Sequence, residues 1–170
     1  MSTNMNELIT RVRNVILDNR YLTMATCNGH SVWIAPLAYL VEPNYCFVYY
    51  SGKNSRHQEH VAKNPIVACS IYNSSLPSND ADGIQFTGKV SEVKAIELPN
   101  IMPKYLIQLF PMEEIRKNWY RPITDFKGFA VQRFYRIEPQ DMFTLDFASS
   151  KVDKRVEVDL KMLRQIPITK

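Results

Sequence analysis

The densest set of anion-handling groups in this sequence lies between Phe47 and His57, which reads Phe-Val-Tyr-Tyr-Ser-Gly-Lys-Asn-Ser-Arg-His. Ser51, Lys53, Ser55, Arg56 and His57 can all donate hydrogen bonds to an anion. A helix start at Ser55 would add free main-chain N–H groups and a positive partial charge. A guanidinium can grip two phosphate oxygens at once. This is the composition of a phosphate site. The same residues also suit a plain helix start, because Ser55 with Gln58 three residues on is a capping-box pattern. Residue types alone leave both readings open.

Whatever this loop does, neighbouring elements must position it. The aromatic and β-branched stretch 45–51 reads as a strand leading into the loop, and residues 55–63 read as a short helix that Asn64-Pro65 ends. Upstream, Leu8, Ile9, Val12, Val15 and Ile16 repeat at helical spacing, with Asn4 and Glu7 as cap and capping partner. Residues 21–26 form a strand candidate. Asn28-Gly29 is a hairpin signal, since both residues tolerate positive φ. The returning strand covers 31–41, with Pro36 indicating an edge or a bulge. Further strands are expected at 66–72, 84–93, 128–137 and 140–147, and a half-buried one at 154–160. Residues 73–82 read as a polar loop. Residues 95–120 read as helix interrupted by Pro99, Pro103 and Pro111, each of which would start or break a helix.

Six or so strands joined by tight turns predict a mainly β, α+β fold: a six-stranded antiparallel split β-barrel with flanking helices. The 170 residues allow one domain with a real core, and no repeat or linker divides residues 1–170. With 45 % hydrophobic and 22 % charged residues and only 5 glycines, the composition is that of a globular protein. The net charge is +4, and the densest basic group, Lys151, Lys154 and Arg155, is diluted by Asp153 and Glu157. That spread argues against nucleic acid as partner. No apolar run is long enough for a membrane span, and the polar first six residues lack a signal-peptide core, so a cytoplasmic protein is expected. Cys27, Cys46 and Cys69 are far apart in apolar stretches and read as small buried hydrophobes.

The loop resembles the phosphate-binding segment of the pyridoxamine 5′-phosphate oxidase-like, FMN-binding split-barrel family, where an aromatic strand leads through a loop to Ser-Arg-Lys opening a helix. Here that opening is Ser55-Arg56-His57, followed by Asn64-Pro65-Ile66-Val67-Ala68. Tyr21 to Thr26 and Ser31 to Leu37 resemble the family's opening hairpin. Gly83 to Val90 resembles a later strand, and Tyr135-Arg136-Ile137-Glu138-Pro139 a last-strand ending. The resemblance implies FMN as cofactor, a homodimer with the cofactor at the interface, and a small-molecule substrate. It implies that Ser55, Arg56, His57 and Lys53 hold the phosphate. Tyr49 and Tyr50 would lie beside the ring or ribityl chain. Backbone groups of Trp33, Ile34, Ala35, Pro36 and Leu37 would bond the ring edge, and Gln85 would contact the ring, in its own subunit or the neighbouring one.

Two departures stand out. His57 replaces the family's lysine, and a neutral imidazole grips phosphate more weakly than an ammonium. The C-terminal Trp and Arg segment that pyridoxamine phosphate oxidases use for substrate has no counterpart. No acid–base catalyst is visible, and a flavin would carry the redox chemistry itself. Three functions follow: an FMN-dependent oxidoreductase, a flavin- or haem-binding carrier or sensor without turnover, and a ligand-free interaction module. Haem ranks below FMN. His57 and His60 share a helix face, yet no third ligand joins them, so no metal site is expected. His30 falls in the hairpin turn. No Ser-His-Asp order, Walker loop or dinucleotide motif is present. Trp119 and Tyr120, beside Arg116 and Arg121, could stack on a substrate or pack a helix onto the barrel.

Overall fold

The computed structural model describes residues 4–77, 82–146 and 154–168. Phe147, Lys151, Asp153 and the middle of the expected loop 73–82 lie outside the described residues. The elements run α1 (Met5–Asp18), β1 (Tyr21–Cys27), β2 (Val32–Ala38), β3 (Leu40–Val41), β4 (Phe47–Gly52), α2 (Arg56–Lys63), β5 (Ile66–Tyr72) and β6 (Gly83–Glu92). Then follow α3 (Leu98–Leu109), α4 (Glu113–Asn118), a 3-10 turn (Ile123–Phe126), β7 (Gln132–Leu145), β8 (Arg155–Glu157) and α5 (Leu160–Gln165).

All strands are antiparallel, in the order β2-β1-β5-β6-β7-β4-β3, with β8 added beside β7. β2 and β3 occupy opposite ends of that order, yet only Tyr39 separates them in sequence. The sheet must therefore curl until its two edges nearly meet. This is the expected split barrel, with eight strands among the described residues rather than six. The expected strand 31–41 breaks at Tyr39 because one segment serves both edges. The Tyr39 ring is buried and its hydroxyl donates to the Ile16 carbonyl of α1 at 2.6 Å. Pro36 lies on the edge strand β2, where its missing N–H costs no ladder bond.

The expected strands 128–137 and 140–147 merge into one strand, β7, which starts only at Gln132, after a turn at Gly128 and Phe129, and runs through Pro139. A register shift between Thr87 and Gly88 accommodates it: Gly88 faces Pro139 while Thr87 faces Asp141. Gly88 is required here, since a Cβ would sit 2.7 Å from Ile137 Cγ2. At the first hairpin only Gly29 takes a positive φ, of 95°. Asn28 contributes through its side chain instead, accepting from the N–H groups of His30 and Ser31. The expected strand 154–160 is cut to three residues, because Asp159 accepts from the N–H groups of Lys161 and Met162 and caps α5. Pro103 lies inside α3 without ending it: one lost hydrogen bond is outweighed by burial of Leu98, Ile101, Met102 and Tyr105. Pro99 sits in the first turn and Pro111 separates α3 from α4, as expected.

Two apolar clusters result. The barrel interior, with Leu22, Met24, Phe47, Tyr49, Ile71, Phe86 and Ile137, receives the apolar stripe of α1. The second cluster lies outside the barrel, where Leu98, Met102 and Tyr105 of α3 cover Val48 of β4 and Phe134 of β7. Because side chains alternate along a strand, β4 serves both: Phe47 and Tyr49 face inward, Val48 and Tyr50 face α3.

Candidate anion site at the start of the second helix

β4 ends by delivering Ser51 to the rim of the barrel, and a turn closed by Ser55 N–H to the Gly52 carbonyl at 3.0 Å starts α2. Ser55 occupies the N-cap position, but its hydroxyl caps nothing. It lies 3.2 Å from Ser51 Oγ and 3.1 Å from His57 Nε2, and Ser51 Oγ lies 2.8 Å from the same nitrogen. Gln58, the other half of the expected capping box, points the opposite way and donates to Tyr49 Oη at 2.7 Å. The capping box is thus not formed. The main-chain N–H groups of Arg56 and His57 find no acceptor among the described residues. Lys53 and Arg56 are exposed beside them, without an ion-pair partner among the described residues.

Two supports hold this arrangement. The Arg56 guanidinium lies 4.3 Å above the Trp33 ring, which fixes its long side chain against β2. Below, the buried His60 meets Thr26 Oγ1 at 3.2 Å through Nδ1 and Ser31 Oγ at 3.4 Å through Nε2, tying α2 to the first hairpin. Burial, and then the nearby His60, hold the His57 imidazole below its ordinary pKa, so it is neutral at pH 7. The donor set is two hydroxyls, a guanidinium, an ammonium, an imidazole and two free amides. It suits a phosphate dianion.

The other expected site residues divide. Trp33 joins the cluster. Tyr49 does not: it is 0 % exposed, stacked on Tyr135 inside the barrel, with its hydroxyl taken by Gln58. It braces the loop from beneath, and strand alternation forbids it from sharing a face with Tyr50. Tyr50 is half-exposed and packs edge-on against Tyr105 and Phe126. Ile34 and Pro36 are exposed on the outer face of β2, while Ala35 and Leu37 point into the barrel. Gln85 is exposed on β6, three strands from β2 and so about 14 Å away at the usual strand spacing. Within one chain it does not meet Arg56. Its Oε1 lies 3.4 Å from Arg155 Nε. Sequence reasoning missed the supporting roles of Thr26, Gln58 and His60. The signal was there for His60, placed one turn after His57 on the same helix.

Among the described residues no His, Cys, Asp or Glu cluster suits a metal, and no helix is long and apolar enough to cross a membrane.

No family model and no curated protein sequence matches the chain. Solved structures do match its fold. A haem-binding protein from Mycobacterium smegmatis aligns over 97 % of this chain at 11 % identity and a TM-score of 0.69; the chain spans 62 % of that protein's length. A Listeria innocua protein provisionally named a pyridoxamine 5′-phosphate oxidase aligns over 81 % of this chain and 98 % of its own, at 16 % identity and a TM-score of 0.61. HutZ, a haem storage protein from Vibrio cholerae, aligns over 83 % of this chain and 94 % of its own, at 14 % identity and a TM-score of 0.57. At these identities the likeness establishes the split-barrel fold.

Proposed function

We propose that this chain binds FMN, with the phosphate seated in the Ser51–His57 loop. The observation that carries this reading is the broken capping box. Ser55 stands where its hydroxyl should cap α2, yet it turns toward Ser51 and His57, leaving two helix N–H groups free beside Lys53 and Arg56. A helix start organised for its own sake would use that cap. A helix start organised for an anion would leave the amides open. Arg56 would supply the principal charge, pre-oriented on Trp33, and Lys53 the charge that His57 lacks.

Bound FMN supplies hydride or electron chemistry, which makes a flavin-dependent oxidoreductase acting on a small molecule the preferred activity. No catalytic residue is assigned. The chain's own contribution is to hold the phosphate and to present the exposed edge strand β2 next to it.

A second copy would complete the site. The outer face of β2, β1, β5 and β6 exposes Ile34 at 61 % beside a cleft of about 400 Å³ that Ala25 and Ala68 also line, and Ile66 at 42 % two residues along β5 from Ala68. Such an apolar face on a small protein marks an association surface, and a homodimer would bring a second Gln85 to it. Sedimentation should give a dimer; a monomer would remove this part of the reading.

The fold likeness to haem proteins motivates haem as the second ligand class. The histidines favour it less. His60 has both nitrogens engaged, His57 directs Nε2 to two serines, and His30 lies exposed in a turn. The test is direct. Protein saturated with FMN and desalted should retain flavin absorbance, and Arg56→Ala should weaken retention. Complete loss of flavin from the unaltered protein would sink the proposal, and a Soret band after haem loading instead would favour the alternative. Oxidation of a nicotinamide cofactor above the rate with free FMN would separate an enzyme from a carrier.

A further inference from the structure

We infer that the α3–α4 excursion is a second ligand site, built for a free medium-chain carboxylate, and independent of the proposed flavin site. Between α3 and α4 lies a cleft of about 490 Å³, within the usual range for small-molecule pockets. Its α3 wall is aliphatic, with Leu98, Met102, Leu106 and Ile107, and Ile123 also lines it. The facing wall is α4, which buries none of its own residues. α4 is tied to the end of α3 through its own C-terminal half. Arg116 Nη1 donates to the carbonyls of Phe110 at 3.1 Å and Pro111 at 3.4 Å, and Trp119 stacks on Phe110 with ring centroids 5.0 Å apart. The helix is thus clamped as the polar wall of an apolar slot.

The charge at the mouth identifies the head group. Glu113 and Lys117 pair at 3.1 Å and cancel. Arg116 has only main-chain carbonyls as partners, and no carboxylate pairs with it among the described residues. The slot therefore carries one unmatched guanidinium above aliphatic walls, which is complementary to a single anionic head on a hydrocarbon chain. The chain has somewhere to go: Met102 and Leu106 also line an adjoining aromatic cavity of about 120 Å³ that reaches Phe110 and Trp119. Trp119 is one of two tryptophans, so its fluorescence can report occupancy.

The experiment uses the full chain, titrated with decanoate, decanol and decyltrimethylammonium below their micelle concentrations, read by tryptophan fluorescence and calorimetry. Decanoate should saturate at one per chain and bind about tenfold or more tightly than decanol, the worth of one charge-assisted hydrogen bond. Arg116→Gln should erase that preference and leave decanol binding unaltered. Leu106→Trp, which fills the slot while keeping every charge, should abolish binding of both; it keeps the test decisive if Arg116→Gln loosens α4. Arg56→Ala should leave decanoate binding intact, so that failure of the flavin reading and of this one are told apart. Absence of saturable decanoate binding, equal affinity for all three amphiphiles, persistence of binding in Leu106→Trp, or binding only to anionic phosphatidylglycerol vesicles would each overturn the inference.

Discussion

The barrel and the α3–α4 excursion are built on opposite terms. In the barrel, the inward faces of the strands are packed, and Phe47 sits with no exposed surface between Phe86, stacked at 4.8 Å, and Tyr39, edge-on at 5.3 Å. In the excursion, α3 is anchored by four buried side chains, while α4 buries none and rests on one arginine clamp and one ring stack. Both regions carry candidate binding groups, but they position them differently. The anion loop inherits rigidity from β4 and from His60 beneath it. The slot is bounded by an element that can open without disturbing the core.

The largest expected effect tests the barrel side. Phe47→Ala should lower global stability by about 3–5 kcal/mol, the usual cost of emptying a buried aromatic position, measured by urea denaturation. A loss confined to about 1 kcal/mol would mean the barrel interior collapses to refill the space.

Arg136 links the two regions. It bonds Glu42 at 2.6 and 2.9 Å beside the barrel, and Glu97 at 2.8 Å just before α3. Arg136→Met should cost about 1.5–3 kcal/mol and speed amide exchange in α3 more than in β1 or β5. The bond from Arg136, chiefly, holds the Glu97 carboxyl below its ordinary range. A depressed folded-state value means that the tie is complete above the ordinary carboxylate range and is lost as pH falls through the lower folded value. Acid should therefore loosen α3 first, and Arg136→Met should remove that acid sensitivity; uniform acid loosening across the molecule would contradict the link.

Trp119→Ala should cost less, about 0.5–1.5 kcal/mol for the lost ring pair, and that cost should fall on α4 alone. Hydrogen exchange should show α4 opening while the global midpoint stays put. A matching drop in global stability would erase the distinction between the regions.

The smallest effect concerns His57. Its imidazole is neutral at pH 7 because burial lowers its pKa. A phosphate dianion favours the protonated form, so FMN affinity should rise as pH falls below neutrality, until the phosphate itself takes up a proton near about 6. His57→Lys should flatten this dependence and tighten binding. A pH-independent affinity in the unaltered protein would place His57 outside the phosphate's reach.

The same contrast governs what the sequence made legible. The hairpin at 21–38, β5 and β6 are local patterns that tertiary context only confirms. The break at Tyr39 was hidden, because the stretch 31–41 has no breaker at that point; the need to serve two sheet edges imposes it. The gap left between 137 and 140 and the break expected at Pro103 are both absent for one reason, since the local cost of each proline is met by distant partners, a bulge at Gly88 and the buried side of α3. At the site, the loop was readable from residue types. The geometry decided what those types left open, sending Gln58 to Tyr49 and freeing the helix start. The burial of Tyr49 follows from strand alternation, a signal present in the pair Tyr49-Tyr50. The excursion was least legible, because a slot between two helices is an absence of contacts, which no residue pattern announces.

The central claim is that the Ser51–His57 loop holds a phosphate. FMN and riboflavin differ only by that group, so their affinity ratio measures the grip directly. By equilibrium flavin-fluorescence titration, the unaltered protein should bind FMN roughly ten- to hundredfold more tightly than riboflavin, and Arg56→Ala should collapse the ratio toward one by weakening FMN alone. Equal affinities for the two flavins in the unaltered protein, or a ratio unchanged by Arg56→Ala, would contradict the account.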